Sequence, residues 1–303
     1  MRYFTPKSVQ FSINQAHNLV VIDIHGGGFI LGYSGMVNKG QIGDCLERGW
    51  IVVVPNHRLC PQVNLLEGPM QDIRDLLRWI YDGSLQKAID AKIGKANAPR
   101  CDLDRVISFG TSAGGHLTLA LCWDVERPPA AILDFYGPCN FEDPFLSQPI
   151  EALRASLPKL DDAFINKVYD ENPIPTQSRI TLEGMGRGPD FSNPRDAFAF
   201  TKIAKGEVFD AIWPSKDWKK VDPALNLSSK FPPTCIIHGD ADTMVSINLS
   251  RALFTEMKKK GIEVEMIEVP GAEHTFCGNM AVGSEVWNLQ RKGFDFLEDV
   301  IST

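Results

Sequence analysis

The sequence predicts an α/β fold, a mostly parallel twisted sheet flanked by helices. Three observations predict it. Short apolar, β-rich runs alternate with segments of helical periodicity, which is the spacing of βαβ units. One run, Ile51-Val52-Val53-Val54-Pro55, is apolar throughout, as a strand buried on both faces is. Two other runs end in glycine-rich turns, where a strand must turn sharply into the next element.

Taken in order, the chain has room for about two strands ahead of the first glycine turn, Lys7–Ile13 and Asn18–Ile24, before His25-Gly26-Gly27-Gly28-Phe29. Ile51–Pro55 follows, then a helix from Met70 to Ile80 with Ile73, Leu76, Leu77 and Ile80 on one face, the stripe of a helix packed on a sheet. Arg105–Phe109 is a strand entering Gly110-Thr111-Ser112-Ala113-Gly114, and a helix leaves that turn toward Cys122. Ala131–Phe135 is the next strand. The stretch from about Asn140 to Lys230 is rich in Pro, Asp, Ser and aromatics, with turn signals at Asn172-Pro173 and Asn193-Pro194 and a helical piece at Ile150–Leu157. Loops this long in compact domains are usually functional. Residues 140–230 are therefore read as an inserted lid on a core of 1–139 and 231–303, with Gly184, Gly186 and Gly188 as its hinge or mouth. Pro233–Gly239 is a strand, and Ser246–Lys260 a helix with Leu249, Leu253 and Met257 on one side. Its lysine-rich end before Gly261 suits the negative end of the helix dipole. Glu263–Val269 alternates with period two, as a half-buried strand does. Val286–Ile301 closes the chain as an amphipathic helix carrying Leu289, Phe294, Phe296 and Leu297.

The chemistry is concentrated at the turns. Gly110–Gly114 has the G-x-S-x-G form of a nucleophile elbow, whose flanking positions tolerate little but glycine and which lifts the serine hydroxyl above the sheet. The earlier glycine turn can offer backbone N–H groups to a developing oxyanion. A serine hydroxyl needs a base, and the base an orienting carboxylate. His238-Gly239-Asp240-Ala241-Asp242 supplies two acids after a strand, and Pro270-Gly271-Ala272-Glu273-His274 supplies a histidine in a loop after the next.

In these motifs and in the chain order Ser, Asp, His, the sequence resembles the α/β-hydrolases of the hormone-sensitive-lipase and carboxylesterase type, from about Val20 to the C-terminus apart from the middle segment. His57-Arg58-Leu59-Cys60-Pro61 is similar to that family's Tyr-Arg-Leu-Ala-Pro stretch, with His57 where tyrosine usually stands. The resemblance implies an α/β-hydrolase fold with an inserted lid and a shortened N-terminus, since the family's extra N-terminal helices find no match. It implies Ser112 as nucleophile, His274 as base and Asp242 rather than Asp240 as acid. The oxyanion donors would be the N–H groups of Gly26, Gly27 and Ala113, with Phe29, Thr111 and Phe276 at the substrate. Of the other histidines, His25 is expected to order the glycine turn, His238 to be satisfied by backbone and His116 to pack in the core. Arg58 is expected to pair with Asp75, or failing that with Asp72, because an unpaired charge near a core is costly.

Three functions compete. The leading one is hydrolysis of small to medium carboxylic esters, apolar or aromatic, through a Ser-His-Asp acyl-enzyme. The alternative is a biosynthetic serine hydrolase, a thioesterase, lactonase, lactone-forming or acyl-transfer enzyme such as one releasing a polyketide product. A non-catalytic receptor or scaffold would be expected to carry a damaged triad, and this one is complete. The formal net charge of −7 and pI of about 5.4 argue against nucleic acid or an anionic membrane as partner. No run approaches the ~18 apolar residues of a membrane span. Seven cysteines without framework spacing suggest reduced thiols, with Cys277 a candidate lining of the site. The Met1 region lacks the apolar core of a signal peptide, so a cytoplasmic location is expected. No metal-ligand spacing occurs, and no cofactor is expected. The expected partner is a small-molecule ester or thioester, with a homodimer as the assembly considered.

Overall fold

A computed structural model describes residues 2–4, 17–180 and 188–302. The strands are β1 (Arg2–Phe4), β2 (His17–Ile24), β3 (Ile51–Val54), β4 (Arg100–Thr111), β5 (Ile132–Phe135), β6 (Thr234–Gly239) and β7 (Val264–Val269). They form one sheet in the order β1-β3-β2-β4-β5-β6-β7, with β1 antiparallel to β3 and every other pair parallel. The chain winds outward on one side of β2 and then on the other, so β2 and β4 are neighbours at a switch point, where open α/β sheets bind ligands. Ile24 pairs with Gly110. That register sets the first glycine turn directly beside the serine turn.

The helices are α1 (Lys39–Glu47), α2 (Gln71–Tyr81), α3 (Ser84–Ile93), α4 (Ala113–Leu119), α5 (Glu151–Ser156), α6 (Asp162–Ile165), α7 (Pro194–Lys205), α8 (Val208–Ile212), α9 (Ile247–Lys259), α10 (Phe276–Asn279) and α11 (Glu285–Ser302). Successive strand residues point to opposite faces, and this divides the core in two. Val20, Ile22, Ile24, Val53, Val106 and Ile236 meet α2, α3, α4 and α9 on one face. Val21, Val52, Ile107, Leu133 and Ile237 meet α1 and α11 on the other. Both faces are covered, which is why the central strands read as unbroken apolar runs. At the edge, β7 keeps Glu265 and Glu268 exposed. No helix among the described residues is long and apolar enough to cross a membrane.

Several elements differ from expectation. The strand expected at Lys7–Ile13 lies outside the described residues, and β1 was not anticipated. The helices α1 and α3 were also not anticipated. Each buries few side chains, and α1 contains two glycines, so neither shows a strong apolar stripe. Asn193-Pro194 is not a free turn but the start of α7, where the Asn193 side chain accepts from the N–H groups of Arg195 and Asp196, as an N-cap does. Gly184 and Gly186 lie outside the described residues.

The middle segment packs as part of the core. Phe141, Ile165, Val168, Phe198, Ile212, Trp213 and Val221 join the same apolar cluster as the sheet. Two buried polar groups pin it. Arg195 donates to Ile30 O, Cys60 O, Gln62 and Glu171, and the Asp222 carboxylate accepts from the N–H groups of Asn140 and Phe141. Arg58 pairs with Asp72, Nη2 to Oδ1 at 2.6 Å, and not with Asp75, which sits at the surface with Arg78. Arg58 itself is half-exposed. The arginine that does enter the core from α2 is Arg74, stacked on Trp123 and donating to the carbonyls of Ala120 and Trp123.

Candidate active site

The serine turn is shaped by steric necessity. A Cβ at Gly114 would lie 2.0 Å from Ile24 O, and one at Gly110 would lie 2.4 Å from Gly114 O. Between them Ser112 has φ +52°, a left-handed conformation that a non-glycine residue adopts only when its surroundings impose it. Its N–H is held by Phe135 O at 2.9 Å and its carbonyl accepts from His116 N, so the strain is fixed from both sides.

Ser112 Oγ lies 2.9 Å from His274 Nε2, and His274 Nδ1 lies 2.6 Å from Asp242 Oδ2. All three side chains are buried. Oδ1 of Asp242 accepts from the N–H groups of Met244 and Val245, each at 2.8 Å. Burial alone would raise the Asp242 carboxyl, but hydrogen bonds from His238 and His274 hold it well below the usual carboxylate range. Asp240 is placed differently: its Oδ1 accepts from Gly271 N at 2.6 Å, tying together the two loops that carry Asp242 and His274. Tyr136 packs edge-on against the His274 ring, with centroids 4.9 Å apart.

His238 departs from expectation. It has a backbone partner, Val245 O, but it also reaches Asp242 Oδ2 at 3.0 Å and Ser250 Oγ at 2.8 Å. Its position four residues before the acid, at a strand end, was the only signal of this in the sequence. His116 is packed against Phe141 and Phe29, as expected of a core histidine.

In the first glycine turn, Gly27 has φ +124°, and a Cβ there would meet Leu31 O at 2.2 Å. Gly27 O accepts from the N–H groups of Ile30 and Leu31. His25 Nδ1 faces Gly26 O at 2.8 Å. A carbonyl only accepts, so Nδ1 carries the hydrogen. The His25 ring stacks on that of His57, with centroids 4.6 Å apart. Burial, reinforced by His57, pushes the His25 imidazole down to about 3, and burial pushes His57 down to about 4.

Ser112 and His274 open onto a cleft of about 850 Å³. Gly28, Phe29 and Ala113 line it from the core, and Phe145, Leu146, Pro149, Ile150, Ile203, Val208 and Phe209 from the middle segment. No Asp, Glu, Lys or Arg is among the lining residues. Of the ten aromatics that the segment offers, Phe145 and Phe209 reach the cleft, while Phe141, Phe198 and Trp213 are buried in the core. Four sequence-derived candidates, Gly26, Gly27, Thr111 and Phe276, are not among these lining residues. Gly26 and Thr111 line a narrower crevice on the far side of the glycine turn, together with Cys277, and the Phe276 ring packs on Tyr136. Among the described residues no group of three or more His, Cys, Asp or Glu is arranged to hold a metal ion.

Comparison with known proteins agrees with this architecture. A profile described as alpha/beta hydrolase fold matches residues 21–166, and one described as the prolyl oligopeptidase family matches residues 198–303. The non-reducing polyketide synthase atr1 of Stereocaulon alpinum is 28% identical over a stretch that takes in 93% of this chain, and adrD of Penicillium rubens is 29% identical over 92%. The chain spans only 12% of the length of each. Among solved structures, a Staphylococcus aureus protein of unknown function superposes with a TM-score of 0.67 at 20% identity, covering 99% of this chain and 94% of that one. The Thermogutta terrifontis esterase Est2 with butyrate bound superposes at 0.58 with 16% identity, covering 99% and 87%. At such identities the likeness shows a shared fold.

Proposed function

We infer that this chain, which belongs to the α/β-hydrolase superfamily, is a serine hydrolase that cleaves carboxylic esters of small to medium, apolar acyl groups. The observation that carries the reading is the continuous hydrogen-bonded chain Ser112–His274–Asp242 at the wall of an uncharged cleft. Ser112 Oγ attacks the carbonyl carbon while His274 Nε2 takes its proton. Asp242 holds the Nδ1–H of the imidazole and balances the imidazolium that forms. The developing oxyanion is received by the N–H of Ala113 and by the glycine turn. There the placement of Gly28 in the cleft, with Gly26 in the crevice behind, favours the N–H groups of Gly27 and Gly28 over that of Gly26. Collapse returns the proton from His274 to the leaving alcohol, and water, activated by the same imidazole, then releases the acid. The apolar lining desolvates the acyl group, and burial of apolar surface contributes about 25 cal/mol per Å². Seven free thiols fit the cytoplasmic setting expected from the sequence.

A second reading is favoured by the polyketide synthase relatives. The same acyl-enzyme would form from a biosynthetic thioester and be resolved by a nucleophile other than bulk water, as in polyketide product release. One experiment addresses both. An organophosphonate should label Ser112, and Ser112→Ala should lose several orders of magnitude in turnover on p-nitrophenyl esters of graded chain length, as loss of a triad nucleophile does. Acyl thioesters turned over faster than the matched esters would favour the second reading. Full activity in Ser112→Ala would remove both.

A further inference from the structure

His238 stands at the C-terminal end of β6, four residues before Asp242, with no solvent exposure of its side chain. Three polar atoms surround its ring. Nε2 lies 3.0 Å from Asp242 Oδ2 and 2.8 Å from Val245 O, and Nδ1 lies 2.8 Å from Ser250 Oγ on α9. A carboxylate and a carbonyl only accept, so Nε2 must carry a hydrogen. Ser250 is a hydroxyl and can donate to a bare Nδ1. The neutral ring with its hydrogen on Nε2 therefore satisfies every partner at once, and no charge need be buried.

We propose that His238 is a positioning residue for the catalytic acid, a second imidazole donating to the same carboxylate oxygen that receives His274. The inference rests on the triad reading. Asp242 then has four donors: His274 and His238 on Oδ2, and the N–H groups of Met244 and Val245 on Oδ1. With both oxygens engaged, the carboxylate cannot rotate away from His274 without breaking a buried hydrogen bond. Donors to the ionised form also make a carboxylate a weaker base, so during serine attack the proton stays on His274 and the ion pair persists. The bond from His238 to Val245 O closes the 242–245 turn, so the acid and the cleft wall formed by Met244 and Val245 are set by one residue.

The charged and titratable groups that face His238 are few. Asp242 is in contact, and His274 lies beyond it on the same oxygen. Asp134 at the end of β5 and Glu268 on β7 are the other carboxylates that sense it, and Glu268 is tied to Arg251. Tyr136 presents a ring edge at 6.2 Å.

Two substitutions separate positioning from packing. A glutamine amide reaches where Nε2 stands, so His238→Gln retains a donor to Asp242. An asparagine reaches only where Nδ1 stands, so His238→Asn retains the Ser250 contact and loses Asp242. On a p-nitrophenyl ester, His238→Asn is expected to lower kcat by about 10- to 100-fold, the scale seen when the outer partner of a metal ligand is removed, with little change in KM. Its acid limb of kcat/KM should move to higher pH, because an Asp242 with one donor fewer binds the imidazolium more tightly. His238→Gln should recover most of the rate and the original limb. Equal rates in the two variants, or an acid limb that stays put or moves down in His238→Asn, would overturn the proposal. Ser112→Ala run alongside keeps the two inferences apart. If it stays active, the triad reading itself fails. If it is inactive while His238→Asn behaves as wild type, only the role of His238 fails.

Discussion

The cleft has two walls of different construction. The wall on the core side is made of strand ends, and almost every polar atom there has a named partner: Ser112 with His274, His274 with Asp242, Asp242 with His238 and two backbone N–H groups. The wall supplied by residues 140–230 is made mostly of apolar side chains, among them Phe145, Leu146, Ile150, Ile203, Val208 and Phe209, with Gln148 beside them, and the contacts of the apolar ones are dispersive and non-directional. The buried charged groups of this segment, Arg195 and Asp222, serve to fasten it and do not line the cleft. Hydrogen bonds fix geometry to a few tenths of an ångström, whereas apolar packing fixes volume and polarity. On the proposed function, the core wall therefore sets the reaction and the segment wall sets what fits.

The largest expected effect comes from breaking the core wall at its acid. Asp242→Asn can still accept from Met244 and Val245 through its amide oxygen, but it turns an N–H₂ toward two imidazole N–H groups. The expected loss in kcat is about 10⁴-fold, as when a triad acid presents the wrong partner to its histidine, with the fold retained. Asp240→Asn should stay close to wild type, because the one bond of that side chain, from Gly271 N, is one an amide oxygen can also accept. The measurement is kcat for both variants. The opposite ranking would give the role of acid to Asp240.

The same contrast decided what could be read from the sequence. The serine turn was legible because two backbone carbonyls leave no room for a Cβ at Gly110 or Gly114, a constraint that writes glycine into the chain. The central strands were legible because both faces are covered. The Arg58 partner was misjudged by one turn of α2, since helical spacing alone does not say which of Asp72 and Asp75 faces the preceding strand end. His238 looked ordinary because its role depends on the fold bringing Ser250 and Asp242 to the two sides of one ring. The middle segment was legible only as a long irregular stretch. Which of its aromatics pack inward and which line a cleft is settled by tertiary contact, and neither periodicity nor composition carries that.

A second test concerns stability, where the two walls differ in their response to acid. None of the six histidines lies in residues 140–230. Three on the core side are buried and neutral: burial pushes His25 down to about 3, with His57 beside it contributing, and His57 and His116 each down to about 4. The unfolded chain protonates these rings near the ordinary histidine value of about 6.5, whereas the folded chain protonates them only at these lower values. Between about pH 6 and 4 unfolding therefore takes up three protons on these rings. Asp134 opposes this, because burial raises it to about 6 and its folded form is protonated first. Asp196 and Asp222, also raised by burial, oppose it in the same sense, but the uptake on the three rings dominates, so stability should fall as pH drops through that window. Urea unfolding at pH 7 and at pH 5 measures it. A stability that does not change across that interval would mean that these rings are charged or hydrated in the folded protein.

The smallest effect, and the one that isolates the segment wall, is expected at Phe209. Its ring packs tilted against Phe141, centroids 4.4 Å apart, and also borders the cleft. Phe209→Ala removes a large apolar surface from the acyl site without touching any hydrogen bond of the core wall. Short acyl esters should lose kcat/KM by about tenfold, since a lost hydrophobic contact of a methylene or two is worth about 1–3 kcal/mol. Longer acyl chains, which can refill the space, should lose less or gain. The rate at which a small organophosphonate labels Ser112 should be unchanged, because that reagent reports only on the nucleophile and its base. A uniform loss across all chain lengths, together with slower labelling, would mean that the segment holds the strand-end residues in place and that the two walls are not separable.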